Sequence, residues 1–90
     1  MSSFEDIVRA ISRYLRVNPL ASDTLEGIQH WWLPMMHATT RDLELALARL
    51  ESAGVIDATW AADGRVHYRR AALDVAVDSK LDRFIAGDMT

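Results

Sequence analysis

Residues 39–70 read TTRDLELALARLESAGVIDATWAADGRVHYRR. Leu43, Leu47 and Leu50 recur at three- and four-residue spacing with Ala46 beside them, which is the buried stripe of an amphipathic helix. Thr39 or Thr40 can cap its start, and Gly54 is a natural stop. Two β-like runs follow, residues 55–60 and 65–69, and the loop between them decides their register. A two-residue turn at Asp63-Gly64 would put Trp60 on the face of Arg65 and His67. A three-residue loop, Ala62-Asp63-Gly64 with Gly64 left-handed, gathers Ile56, Ala58, Trp60, Val66 and Tyr68 on one face and sends Arg65, His67 and Arg69 to the other. The second register is preferred because it separates apolar from charged side chains.

Upstream, Phe4, Ile7, Val8, Ile11, Tyr14 and Leu15 mark a helix over 3–16, with Ser2 and Ser3 available as caps and Asn18-Pro19 as its end. Asp23-Thr24-Leu25-Glu26 has capping-box spacing with Asp23 as N-cap, and predicts a short helix over about 24–33 that Pro34 closes. Leu25, Ile28 and Trp32 share its inner face, and Gly27 leaves room for another helix to approach. Downstream, Leu73, Val77, Leu81, Phe84 and Ile85 predict a helix over about 73–86, although Leu73, Val75 and Val77 also alternate like a strand. Gly87-Asp88-Met89-Thr90 is expected to fray.

The 90 residues make one domain, half of them hydrophobic, with a net charge of −3. The absence of cysteine excludes disulfides and thiolate metal sites and fits a reducing cytoplasm. The first residues lack the pattern of a signal peptide, and no apolar run approaches the ~20 residues that cross a bilayer, so a cytoplasmic location without membrane partners is expected. The acidic balance speaks against strong non-specific nucleic-acid binding but leaves room for a local basic patch.

The order helix, helix, helix, hairpin, helix, with ALARLESAGVI leading into a DGRVHYRR return strand, resembles the winged helix-turn-helix superfamily over residues 4–70. The resemblance implies an α+β, mostly helical chain: a three-helix core within 1–70, a two-stranded β-hairpin wing at 55–70, and a C-terminal helical extension at 71–90. It implies DNA binding, RNA binding or protein docking alike. The linker PMMHATT is longer and more apolar than the tight turn of DNA-binding members. DTLEGIQHWWL also resembles a family of small uncharacterised bacterial proteins, and that likeness implies no activity.

With the leucines inward, the third helix presents Thr40, Arg41, Glu44 and Leu45. Thr40 and Arg41 suit base edges, Glu44 faces phosphates unfavourably, and Leu45 offers no donor. Residues 39–52 carry two cations against three carboxylates. The wing is more basic, with Arg65, Arg69 and Arg70 against Asp57 and Asp63. The leading expectation is docking to another protein through Arg41, Glu44 and Leu45, with Trp31 as a further contact. The alternative is a DNA-binding regulator in which Thr40 and Arg41 read bases while Arg65, Arg69 and Arg70 hold phosphates.

In QHWWLPMMH, residues 29–37, the adjacent tryptophans point about 100° apart on a helix. Trp32 belongs to the core face, and Trp31 is either covered by neighbouring segments or open to a partner. Met35 and Met36 are expected to fill gaps between helices. His30 and His37 are seven apart across Pro34, not the three or four of a metal pair, and no nucleophile elbow or phosphate loop occurs. No cofactor, metal or enzymatic activity is expected. Leu81, Phe84 and Ile85 can pack within the monomer or against a second copy, so a homodimer through the C-terminal helix is the other partner possibility.

Overall fold

A computed structural model describes residues 3–87; Ser2, expected to share in capping, and the expected frayed end at Asp88, Met89 and Thr90 lie outside the described residues. The first helix, α1, spans Phe4–Val17. Its N-cap is Ser3, whose hydroxyl accepts from Asp6 N at 3.1 Å while the Asp6 carboxylate accepts from Ser3 N, a reciprocal capping box. Ile7, Val8, Ile11 and Leu15 face inward and are fully buried. At the other end Asn18 donates twice to the Tyr14 carbonyl, from its backbone at 2.7 Å and its side chain at 3.0 Å.

A two-residue strand, β1 (Ser22–Asp23), precedes α2 (Leu25–Gly27), which runs straight into a π-helical turn at Ile28–Trp32. Leu33 N closes that turn on Ile28 O, five residues back, at 3.1 Å. The wider turn follows Gly27, and it buries Ile28 and Trp32 while leaving Trp31 outside. Two expectations are corrected. The N-cap is Thr24, whose Oγ1 accepts from Gly27 N at 3.2 Å, because Asp23 belongs to β1 and its Oδ1 instead accepts from Thr24 N at 2.8 Å. Gly27 does not admit another helix; the space a Cβ would take is filled by the Asp23 carboxylate.

Helix α3 spans Thr40–Ser52, capped by Thr39 Oγ1 accepting from Asp42 N at 3.1 Å. Leu43, Ala46, Leu47 and Leu50 are buried as their spacing requires. Gly54, with φ +79°, turns the chain into β2 (Ile56–Trp60), and β3 (Val66–Arg70) returns antiparallel to it. The loop is the three-residue one. Ala61 N bonds Arg65 O at 2.9 Å, and Gly64 is left-handed with φ +80°. The register pairs Ile56 with Arg70, Ala58 with Tyr68 and Trp60 with Val66, so these six share one face.

The expected two-stranded ribbon is a three-stranded sheet, in order β1-β3-β2, with Ser22 opposite Arg69 and Asp23 opposite Tyr68. Two residues are too few to show any alternation in sequence. The final helix, α4, spans Val75–Ile85 and is capped by Asp74, whose Oδ1 accepts from Val77 N at 2.9 Å. Its start therefore falls after Leu73, which is exposed rather than on the helix's apolar stripe.

Among the described residues the chain is α+β, with four α-helices and one antiparallel sheet. One buried cluster unites it: α1 at the centre, α3 and α4 packed on either side, and Ile28, Trp32, Val55 and Ile56 closing the remaining faces. Tyr14 stacks on Trp32 with ring centroids 4.7 Å apart and planes 12° apart, which fixes the π-helical turn against α1. Val77, Leu81 and Phe84 fill this same core, so the apolar stripe of α4 is used within the monomer. Among the described residues no helix is long and apolar enough to cross a membrane.

Candidate docking surface

The sheet face that carries Ile56 at one end carries Trp60 at the other. Ile56 is buried where β2 meets α3, whereas Trp60 is 79% exposed. Between the hairpin and the start of α2 runs an open groove of about 370 Å3, lined by Thr24, Leu25 and Glu26 on one side and by Trp60, Gly64, Arg65, Val66 and Tyr68 on the other. Leu25, Val66 and Tyr68 are half-buried and form its floor. The apolar body of Tyr68 reaches the core cluster. Burial pushes the Tyr68 phenol above its ordinary value, and the negative charges of Glu51 and then Glu44 push it further. Asp23 pairs with Tyr68 from the other side across the sheet.

The outer stripe of α3 is a second exposed surface, and none of its residues lines the groove. Thr40, Arg41, Glu44, Leu45 and Ala48 are exposed, and Leu45 is an exposed leucine at 47%. Trp31 is 74% exposed, so neighbouring segments do not cover it, and it does not line the groove. Met35 is also exposed, contrary to the expectation that both methionines fill gaps; Met36 is the one packed against the core. The linker is held instead by Gln29 Nε2 donating to Ala38 O at 2.8 Å.

The three wing arginines do not form a patch. Arg65 lies at the hairpin turn and lines the groove. Arg69 is exposed on the opposite sheet face, flanked by Asp57 and Ser22. Arg70, expected to hold phosphates, is corrected: successive strand residues alternate faces, so it shares the face of Ile56 and is buried. Its Nη2 donates to Asp78 Oδ1 at 2.8 Å and its Nε to Ala72 O at 3.2 Å. Asp78 also meets Arg16, which bonds Asp82 in turn at 3.0 Å, so the chain of charges ties β3, α4 and α1 together.

At the turn, Asp63 accepts from Arg65 N at 2.9 Å and lies 3.2 Å from His67 Nε2. The Arg65 amide and then the His67 ring hold the Asp63 carboxyl below its usual range. Among the described residues, no three His, Asp or Glu side chains gather in a way that could hold a metal ion. No protein-family model matches this chain, and no curated protein or solved structure matches it.

Sequence reasoning missed Trp60, Leu25, Glu26 and Tyr68 as a site. The available signal was position: Trp60 is the last residue of its strand, four beyond the one that enters the core. For Arg70 the signal was the alternation itself, since it shares parity with Tyr68.

Proposed function

We propose that this chain is a non-enzymatic winged-helix-type module that docks another protein through the outer stripe of α3, with Arg41, Glu44 and Leu45, and through the hairpin face around Trp60. The observation that carries this reading is the placement of Trp60. A large aromatic ring stands in solvent at the rim of a groove whose floor is apolar. Exposed tryptophans beside apolar pockets are typical anchors of protein interfaces. The winged-helix reading is supported by the element order α1-β1-α2-α3-β2-β3-α4 and by the hairpin that follows α3.

The DNA-binding alternative retains exposed Thr40, Arg41, Arg65 and Arg69. Against it stand the removal of Arg70 into the core and the carboxylates of Glu44 and Glu51 beside the hairpin. Phosphate contacts need cations gathered on one side.

The test is affinity capture from the native cell with the wild-type chain, Trp60→Asp and Leu45→Asp, each verified as folded by circular dichroism. The reading expects one protein retained by wild type and lost by both variants. Equal retention by all three chains contradicts it. Fluorescence anisotropy with mixed-sequence duplex DNA at low salt tests the alternative, which requires binding that falls steeply with added salt and weakens on Arg69→Ala.

A further inference from the structure

The loop from α1 to β1 and the loop from β3 to α4 come together, and the apolar residues they carry stand in water. Leu20 and Leu73 line the same two clefts, and Val17 and Leu20 share a third. Pro19 and Leu20 belong to all three, so they form a ridge between hollows of about 300 to 380 Å3. The ridge is held in place. Ala21 N donates to Asn18 O at 3.1 Å, closing a four-residue turn, and Pro19 fixes the backbone ahead of Leu20. Turn tips are ordinarily filled by Gly, Asn, Asp or Ser. Leu20 instead presents a branched aliphatic side chain that is 81% exposed and takes no part in the core cluster. Val17, Leu20 and Leu73 together leave roughly 400 Å2 of side chain in water, the size of the largest apolar patches on monomeric proteins.

Three features select a second copy of this chain as the cover. The patch carries both a knob and hollows, the self-complementarity that a two-fold interface requires. Two such patches remove roughly 800 Å2 from water at the apolar centre alone, so an ordinary polar rim takes the total past the ~1,000 Å2 that a specific interface must clear. The cations at the clefts are already matched within one copy: Arg16 bonds Asp82 and Asp78, Arg70 bonds Asp78, and Arg69 stands opposite Asp57 in the sheet. Two copies therefore meet without unmatched like charge. We propose that this chain forms a two-fold dimer through the Pro19-Leu20 turn, Leu20 of each copy entering the cleft that Leu20 and Leu73 of the other line. The stripe of α4 stays in the core, so the contact is made by the loops and not by that helix. These clefts share no residue with the groove beside Trp60 or with the outer stripe of α3. The inference thus stands apart from the docking reading, and a dimer carries two docking faces.

Sedimentation equilibrium of the full chain from about 1 μM to 1 mM, the range of a small interface, is the test. The mass is expected to rise from one copy to two. Leu20→Asp and Leu73→Asp, both at exposed loop positions and verified as folded by circular dichroism, are each expected to weaken association by about a hundredfold, because every dimer loses two buried leucines. Trp60→Asp and Leu45→Asp are expected to leave it unchanged. The proposal is overturned by a single-copy mass at every concentration, by a mass that grows past two copies, by a dimer that persists in either loop variant, or by a dimer that Trp60→Asp dissolves. A single-copy mass leaves the docking reading standing. A dimer that behaves as expected, together with partner capture that is insensitive to Trp60→Asp, sustains this proposal and rejects the docking reading.

Discussion

Ile56 and Trp60 lie on one face of the same strand, four residues apart, and the first is buried while the second stands in solvent. Four residues of strand span about 13 Å, enough to carry the chain from the core to the surface. The hairpin thus has a structural end and a presenting end.

That division separates the tryptophans. Trp32→Ala removes a buried ring stacked on Tyr14 and is expected to cost about 3–5 kcal/mol. Trp60→Ala is expected to stay within about 0.5 kcal/mol, as surface substitutions do. Urea denaturation of both variants checks the order, and a large loss for Trp60→Ala would mean that its ring is packed rather than presented.

The buried guanidinium of Arg70 makes an unusual mutational ordering. Asp78→Ala leaves a charge that is 3% exposed without its carboxylate, and about 2 kcal/mol of stability is expected to be lost. Arg70→Met removes the charge and keeps most of the volume, so it is expected to cost less. Chemical denaturation midpoints at constant slope measure the pair, and the reverse order would show that Asp78 contributes little to holding Arg70.

How much of this was open to sequence reading depends on periodicity. Leu43, Leu47 and Leu50 declare α3 without help, and Gly64 with the alternating apolar residues specifies the hairpin register. The strand β1 could not be read, because it exists only through its pairing with β3. The cap at Thr24 was hidden by Asp23, an equally good capping residue placed one position earlier. Exposure was the weakest point. Periodicity tells which face a residue is on, and it does not tell where along a strand the covering layer stops, so Trp60 was placed on the right face without its exposure being read, and Arg70 was expected in solvent although it is buried.

The hairpin turn is expected to depend on acid. The Asp63 carboxyl titrates below its unfolded value, so its contribution is present above the usual carboxylate range and is lost as pH falls through the lowered folded value. Asp63→Ala should therefore melt below wild type at neutral pH, and the gap should close in strong acid. A gap of constant size from pH 7 to pH 2 would exclude the carboxylate as its source.

Tyr68 provides an internal gauge of the negative charge on α3. Its raised value means that stability is full below the ordinary phenol range and declines as pH rises through it. Glu51→Gln and Glu44→Gln should each bring the Tyr68 titration down, Glu51→Gln by more, as followed by the Tyr68 ring carbon in NMR. An unchanged titration in both variants would show that these carboxylates do not act on Tyr68.

The most direct measurement is site-specific photo-crosslinking in the native cell, with a benzophenone amino acid at position 60, at position 45, and at Thr59, which points to the other side of the sheet from Trp60. The account expects the same discrete protein adduct from positions 60 and 45 and none from Thr59. Adducts from Thr59 alone, or adducts to nucleic acid from positions 60 and 45, would contradict it.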